Sequence, residues 1–144
     1  NFEFAGEIAM NVAEQAINLG MKVKAYDPGL TVDVALGLPS SLEKCDSMES
    51  CLEEADYVSL HIPLNSSTEG IINKDKLTLL NEDSVVINFS RGGIVHEEDL
   101  IDQLENGSLL KYVTDFPTKN LLKRINIQRD VIIFPHLVKE VLMK

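Results

Sequence analysis

The sequence predicts an α/β domain in which a parallel sheet is covered by helices on both faces, and three observations carry that prediction. Short apolar runs rich in β-branched residues alternate with stretches of helical period along the chain. The strand candidates recur at intervals of about 25 residues, enough for a crossover helix between successive strands, which is how parallel neighbours are joined. No internal repeat, low-complexity tract or Pro/Gly-rich linker divides the 144 residues, and 44% hydrophobic with 25% charged is the composition of a single globular core.

The elements follow in order. From Gly6 to Leu19 the residues Ile8, Ala9, Val12, Ala13, Ala16, Ile17 and Leu19 recur at steps of three and four, with polar residues between them. This is an amphipathic helix, and Gly20 suits its left-handed exit. Lys22–Tyr26 reads as a strand, Met48–Glu54 as a helix, Tyr57–His61 as a strand, Lys74–Leu80 as a helix and Ser84–Asn88 as a strand. Glu97–Glu105 puts Leu100, Ile101 and Leu104 on one face and closes on Asn106-Gly107, a helix with its stop signal. Leu109–Thr114 and Val131–Phe134 are the remaining strands.

Charge narrows the function. Thirteen Lys and Arg against 23 Asp and Glu leave a formal net of −10 and a pI near 4.6. Such a chain lacks the cations that displace counterions from a phosphate backbone, so nucleic acid and anionic membrane surfaces are excluded as partners. No apolar run reaches the roughly 18 residues of a membrane span, and no basic-then-apolar leader is evident, so a cytoplasmic protein is expected. Cys45 and Cys51 have neither CxxC nor Cys/His ligand spacing, and the three histidines are scattered, so no metal cluster is expected and both thiols read as reduced and structural.

Ligands of open parallel sheets bind outside the carboxyl ends of the strands. The residues there are Asp27-Pro28-Gly29, His61-Ile62-Pro63-Leu64, Ser90-Arg91-Gly92-Gly93, Asp115-Phe116-Pro117 and Pro135-His136. Acids, an arginine and histidines occupy a rim where turn-formers alone would suffice. Asp27, after the strand that follows the first helix, is placed to accept hydrogen bonds from ribose hydroxyls and to repel a 2′-phosphate, which favours NAD over NADP; it reads equally as a turn aspartate. Arg91, between Ser90 and two glycines, offers a planar fork suited to a carboxylate. His136 has an imidazole able to take a hydroxyl proton as hydride leaves the same carbon, although a lone His after a strand reads more often as polar filler.

The segments Gly20–Pro28, Ala55–Leu64, Val86–Val95 and Pro135-His136, in this order, resemble the nucleotide-binding domain of D-isomer-specific 2-hydroxyacid dehydrogenases. Within that family, Tyr112–Pro117 is most similar to phosphoglycerate dehydrogenases. The resemblance implies a Rossmann-like, doubly wound parallel sheet over residues 1–144. It implies hydride transfer between NAD and a small 2-hydroxy or 2-keto acid, 3-phosphoglycerate and 3-phosphohydroxypyruvate in serine biosynthesis being the expected pair. Arg91 and His136 are then the catalytic pair, with Arg91 binding the substrate carboxylate and polarising the keto oxygen. Asp27, His61, Pro63, Phe89, Ser90, Arg91, Asp115 and His136 are the cofactor contacts: His61 lies beside the adenine, Asp115 holds the nicotinamide carboxamide, and Phe89 and Ser90 lie against the same end through their backbone. Asp115 reads equally as a helix N-cap, Thr68 equally as part of a polar turn, and His96, where the family has an aspartate, as a cap. A homodimer through this domain is implied as well.

Three departures qualify the resemblance. Where the family has a glutamate that hydrogen-bonds the catalytic histidine, this chain reads Thr118-Lys119-Asn120; a lysine cannot accept that bond and disfavours the imidazolium, so weak turnover is expected. The chain also lacks the opening strand and G-x-G-x-x-G that seat a pyrophosphate on backbone amides. Reading Glu3–Gly6 as the lead-in to that strand and Glu7–Met10 as the helix beyond the glycine loop leaves roughly a dozen residues missing. The absent strand would be the central one in the order 3-2-1-4-5-6, leaving its neighbours unpaired. Finally, Val138–Lys144 reads as helix where a glycine-containing turn belongs, and the substrate domain that completes the family's cleft is absent. A non-catalytic NAD-binding or dimerisation module is the alternative function; a methyltransferase with the same ribose aspartate leaves Ser90–Gly93 unexplained.

Overall fold

A computed structural model describes residues 3–29, 37–106, 111–124 and 131–133. The chain divides into two compact units, Asn1–Glu53 and Glu54–Lys144. In the first, helix α1 (Glu3–Asn18) ends in a Schellman turn: the Gly20 N–H donates to Ile17 O (2.9 Å), that of Met21 to Ala16 O (3.0 Å), and Gly20 takes a φ of +86°. The helix corrects the reading of Glu3–Gly6 as an approach to a strand. These residues continue the helix without a proline to break it.

Strand β1 (Val23–Ala25) pairs in parallel with β2 (Leu42–Lys44), Val23 opposite Leu42 and Ala25 opposite Lys44. The sequence reading lacks β2, whose single apolar residue shows no alternation. Helix α2 (Met48–Leu52) opens on a Ser47/Ser50 capping box and stops at Glu53, which leaves the helical region, so it is shorter than Met48–Glu54.

The second unit holds the larger sheet. Its strands β3 (Tyr57–Ser59), β4 (Val85–Asn88), β5 (Lys111–Thr114) and β6 (Val131–Ile133) lie in the order β3-β4-β5-β6, all parallel. Helices α3 (Lys74–Leu77), α4 (Glu97–Glu105) and α5 (Lys119–Arg124) fill the crossovers. Helix α3 stops three residues before Leu80 because Leu79 and Leu80 bond three residues back, to Lys76 O and Leu77 O, a tighter turn than the α-helix. Helix α4 has the predicted bounds. Its buried Leu100, Ile101 and Leu104 join Val86 and Ile94 in the core, and Ile94 and Ile101 are 0% exposed. Phe134 and His136 lie outside the described residues, as does the predicted helix over Val138–Lys144.

Within the described residues β1 is paired only with β2, and β3 only with β4.

Candidate cofactor and substrate site

In the second unit the loops that leave the carboxyl ends of β3, β4 and β5 are fastened to one another by buried polar groups. Asn88, the last residue of β4, is 1% exposed. Its Oδ1 accepts the Ser90 N–H (3.1 Å), and its Nδ2 donates to Arg91 O (2.9 Å) and to the Tyr112 Oη (3.2 Å). Burial pushes the Tyr112 hydroxyl above its ordinary pKa, so it stays neutral. The Ser90 hydroxyl donates to Ile62 O (2.7 Å), which ties the β4 loop to the β3 loop. Thr114, fully buried at the end of β5, donates to Asn88 O (3.0 Å) and accepts the Phe116 N–H (3.0 Å).

A second clasp follows the arginine. Gly70 N–H donates to Gly93 O (2.7 Å), Ile72 N–H to Ile94 O (3.2 Å) and His96 N–H to Ile72 O (2.8 Å). Gly93 has a φ of +90°, a conformation open to glycine and strained for other residues. Held on both sides, the loop presents the exposed Arg91, whose Nη1 donates only to its neighbour's carbonyl, Ser90 O (2.8 Å), among the bonds described.

The other predicted residues are placed as follows. Phe89 is half-exposed on this rim. The Ser90 N–H is turned inward to Asn88, so its hydroxyl and amide both serve the loop. Pro63 O accepts the Thr68 hydroxyl (2.5 Å), which makes Thr68 part of a polar turn closed by Asn65. Asp115 is half-buried just after β5 and is not the N-cap of α5; that helix is capped by Thr118, whose Oγ1 accepts the Leu121 N–H (3.1 Å). His96 caps α4, its Nδ1 accepting the Asp99 N–H (3.4 Å). In the first unit, Asp27 is exposed beyond β1 and its Oδ1 accepts the Gly29 N–H (2.8 Å), so it does shape a turn. His136 is outside the described residues.

His61 is half-buried, with Nε2 2.8 Å from the Ser59 hydroxyl. Burial holds its pKa below the usual 6.5. As pH falls through 6.5 the unfolded chain takes up a proton that the folded chain refuses, so stability is lost from 6.5 down to the folded pKa and levels off below it. An NMR titration of His61 is expected to give a midpoint below 6.5, and His61→Gln to flatten that part of the stability profile.

The place read as Thr118-Lys119-Asn120 does carry a carboxylate, supplied from α4. The Thr118 hydroxyl donates to Glu97 Oε1, and Asn120 Nδ2 donates to Glu97 Oε2 (3.1 Å) and Glu98 Oε1 (2.9 Å). Arg124 completes the cluster at 2.6 Å from Glu98 Oε2 and holds that carboxyl below its ordinary range. Gly70, Gly92, Gly93, Glu97, Phe116 and Thr118 border a cavity of about 300 Å³. Lys119 itself is exposed. Among the described residues no group of three His, Cys, Asp or Glu could hold a metal ion, and no helix is long and apolar enough to cross a membrane.

Sequence reasoning misses Asn88 and Thr114 as parts of this rim. A signal existed for Asn88: it shares the inward face of β4 with Val86, and a polar residue at a buried strand position needs partners.

Known proteins with this pattern identify it. Residues 5–138 match the family described as "D-isomer specific 2-hydroxyacid dehydrogenase, NAD binding domain". The chain is 30% identical over 137 residues to a hydroxypyruvate reductase of Thermotoga maritima, covering 92% of this chain and 43% of that protein. It is 34% identical over 134 residues to a D-3-phosphoglycerate dehydrogenase of Synechocystis, covering 92% of this chain and 24% of that one. The crystal structure of D-lactate dehydrogenase with NAD+ from Lactobacillus jensenii superposes with a TM-score of 0.76 at 29% identity, over 92% of this chain and 43% of that one. The chain thus spans less than half the length of these relatives.

Taken separately, each unit carries chemistry that a dinucleotide or its substrate can use: in the first the exposed Asp27 carboxylate can accept from hydroxyls, and in the second the exposed Arg91 guanidinium can donate to an anionic or carbonyl oxygen. Among the described residues no G-x-G-x-x-G stretch leads into a helix to seat a pyrophosphate on backbone amides. Family match, fold and rim agree: the chain belongs to the D-isomer specific 2-hydroxyacid dehydrogenases, as their NAD-binding domain over residues 5–138.

Proposed function

We propose that this chain is the nucleotide half, residues 1–144, of an enzyme that moves a hydride between NAD and a 2-hydroxy acid, with 3-phosphoglycerate and 3-phosphohydroxypyruvate as the preferred pair. The observation that carries the reading is Arg91: a cation on a Gly-Gly turn, held from beneath by Asn88 and left open above the carboxyl end of the sheet. NAD, when bound, accepts or supplies the hydride. Arg91 pairs with the substrate carboxylate and draws charge toward the keto oxygen, while His136 carries the proton of the substrate hydroxyl. Asp27 accepts from the ribose hydroxyls and excludes a 2′-phosphate; His61, neutral at physiological pH, and Pro63 border the adenine. Asp115, Phe89 and Ser90 orient the nicotinamide. A separate domain contributes the other wall of the cleft, and two chains associate through this domain.

Without a glutamate at Lys119 the proton carrier lacks an acceptor for its second nitrogen, so turnover is weak and this chain by itself is inactive. Lys119→Glu in the full-length protein is expected to raise kcat about tenfold, a modest share of what a well-oriented acid/base supplies.

The test is NADH fluorescence titration of the full-length protein, then steady-state rates with 3-phosphohydroxypyruvate, hydroxypyruvate and pyruvate. The highest kcat/KM is expected with the phosphorylated substrate. Tight NADH binding with no turnover of any of the three would favour the second reading, a non-catalytic NAD-binding or dimerisation module, to which the exposed Lys119 points.

A further inference from the structure

The first unit brings its two cysteines together. Cys45 follows β2 and is buried, its backbone N–H anchored to Ala25 O at 2.8 Å. Cys51 lies in α2 and is half-buried, and its thiol donates to the Cys45 sulfur with the two Sγ atoms 2.6 Å apart. Both backbones are fixed from either side. The α2 start is locked by Ser50 N–H to Ser47 Oγ (3.1 Å) and Ser47 N–H to Ser50 Oγ (3.3 Å), and Cys45 is held by the parallel pairing of β1 with β2. A disulfide needs sulfurs about 2 Å apart, so little travel separates the two Sγ atoms from a bond. Two thiolates fall short of the four ligands of a structural zinc site, and among the described residues no third His, Cys, Asp or Glu stands with them.

We infer that Cys45 and Cys51 are a reversible dithiol/disulfide pair, a modification site that closes within one chain when an oxidised small thiol such as glutathione disulfide is supplied. The inference rests on the thiol geometry alone and is independent of the reaction. Closure runs in two exchanges. The more accessible Cys51, as thiolate, attacks one sulfur of the oxidant, forming a mixed disulfide and releasing one small thiol, which takes the proton Cys51 gave up. Cys45, on losing its proton, attacks Cys51 Sγ and expels the second small thiol. Two electrons and two protons pass from the protein to the oxidant, whose disulfide becomes two thiols.

The environment makes entry slow. The Cys51 thiol is pushed up to about 12, first by burial and then by the hydrogen bond and charge of Cys45. Glu43 raises it further, and Lys24 acts against them. Thiolate is therefore scarce at neutral pH, and the pair responds to sustained oxidation more than to a brief pulse.

The test is treatment of the full-length protein with glutathione disulfide in mildly alkaline buffer, an acid quench, alkylation and peptide mapping by mass spectrometry. The expected product is a cross-linked pair of peptides carrying Cys45 and Cys51, with the linked species lighter by two hydrogens and both thiols restored by dithiothreitol. Cys45→Ser is expected to stop at the mixed disulfide on Cys51. Full alkylation of both thiols after oxidant, or a wild-type protein that stops at a glutathione adduct, would overturn the inference, and neither result depends on the variant folding.

Discussion

Arg91→Leu in the full-length protein is expected to lower kcat/KM for the 2-keto acid about a thousandfold while leaving thermal stability close to wild type, since a lost charge-assisted donor at a reacting oxygen is worth roughly 3–4 kcal/mol. Two features of the loop make the separation clean. The side chain is exposed, and its one described bond goes to Ser90 O next door, so nothing in the fold rests on the guanidinium. The backbone carbonyl of residue 91, by contrast, is held by Asn88 and stays held whatever the side chain. Arg91→Lys keeps the charge and loses the fork, and is expected to fall between the two, about ten- to a hundredfold down. Steady-state kinetics beside a melting curve decide the matter. A variant with unchanged kcat/KM would remove Arg91 from the substrate site and leave the enzyme reading to rest on other residues.

How much of this was legible in the residues depends on what held each element. Helix α4 is legible to the residue because its stripe of Leu100, Ile101 and Leu104 and its Asn106 cap act locally. Strand β4 is legible because Val85-Val86-Ile87 has few alternatives. Strand β2 is not, because Leu42-Glu43-Lys44 becomes a strand only through its parallel partner β1. Helix α5 escapes for a similar reason: it offers one buried residue, Leu121, and is secured by side-chain bonds from Asn120 and Arg124 to Glu97 and Glu98, more than twenty residues back in the chain. The rim follows the same division. Arg91 stands out because its turn does not require it, whereas the meeting of Asn88 with Tyr112 depends on the register between β4 and β5. The contact of Cys45 with Cys51 is set by how α2 returns against the end of β2, which no spacing rule foretells.

That register makes Asn88 the most consequential buried polar residue of the sheet. Asn88→Leu is expected to destabilise the domain by about 3 kcal/mol or more, because it strips partners from the Ser90 N–H, the Arg91 carbonyl and the Tyr112 hydroxyl, each costing roughly 1–3 kcal/mol if left buried and unpaired. Leucine matches asparagine closely in shape, so the loss reports hydrogen bonding more than volume. Tyr112→Phe removes one of those contacts and is expected to cost about 1 kcal/mol, a measure of how the remainder divides between the loop and the strand. Urea denaturation gives the size of the effect, and hydrogen exchange at the Ser90 amide gives its place. Protection there should fall in Asn88→Leu and persist in Tyr112→Phe. If Asn88→Leu leaves that amide protected and stability unchanged, the Arg91 loop is held by the Gly70–Gly93 and Ile72–Ile94 bonds instead, and Asn88 is no part of what aims the arginine.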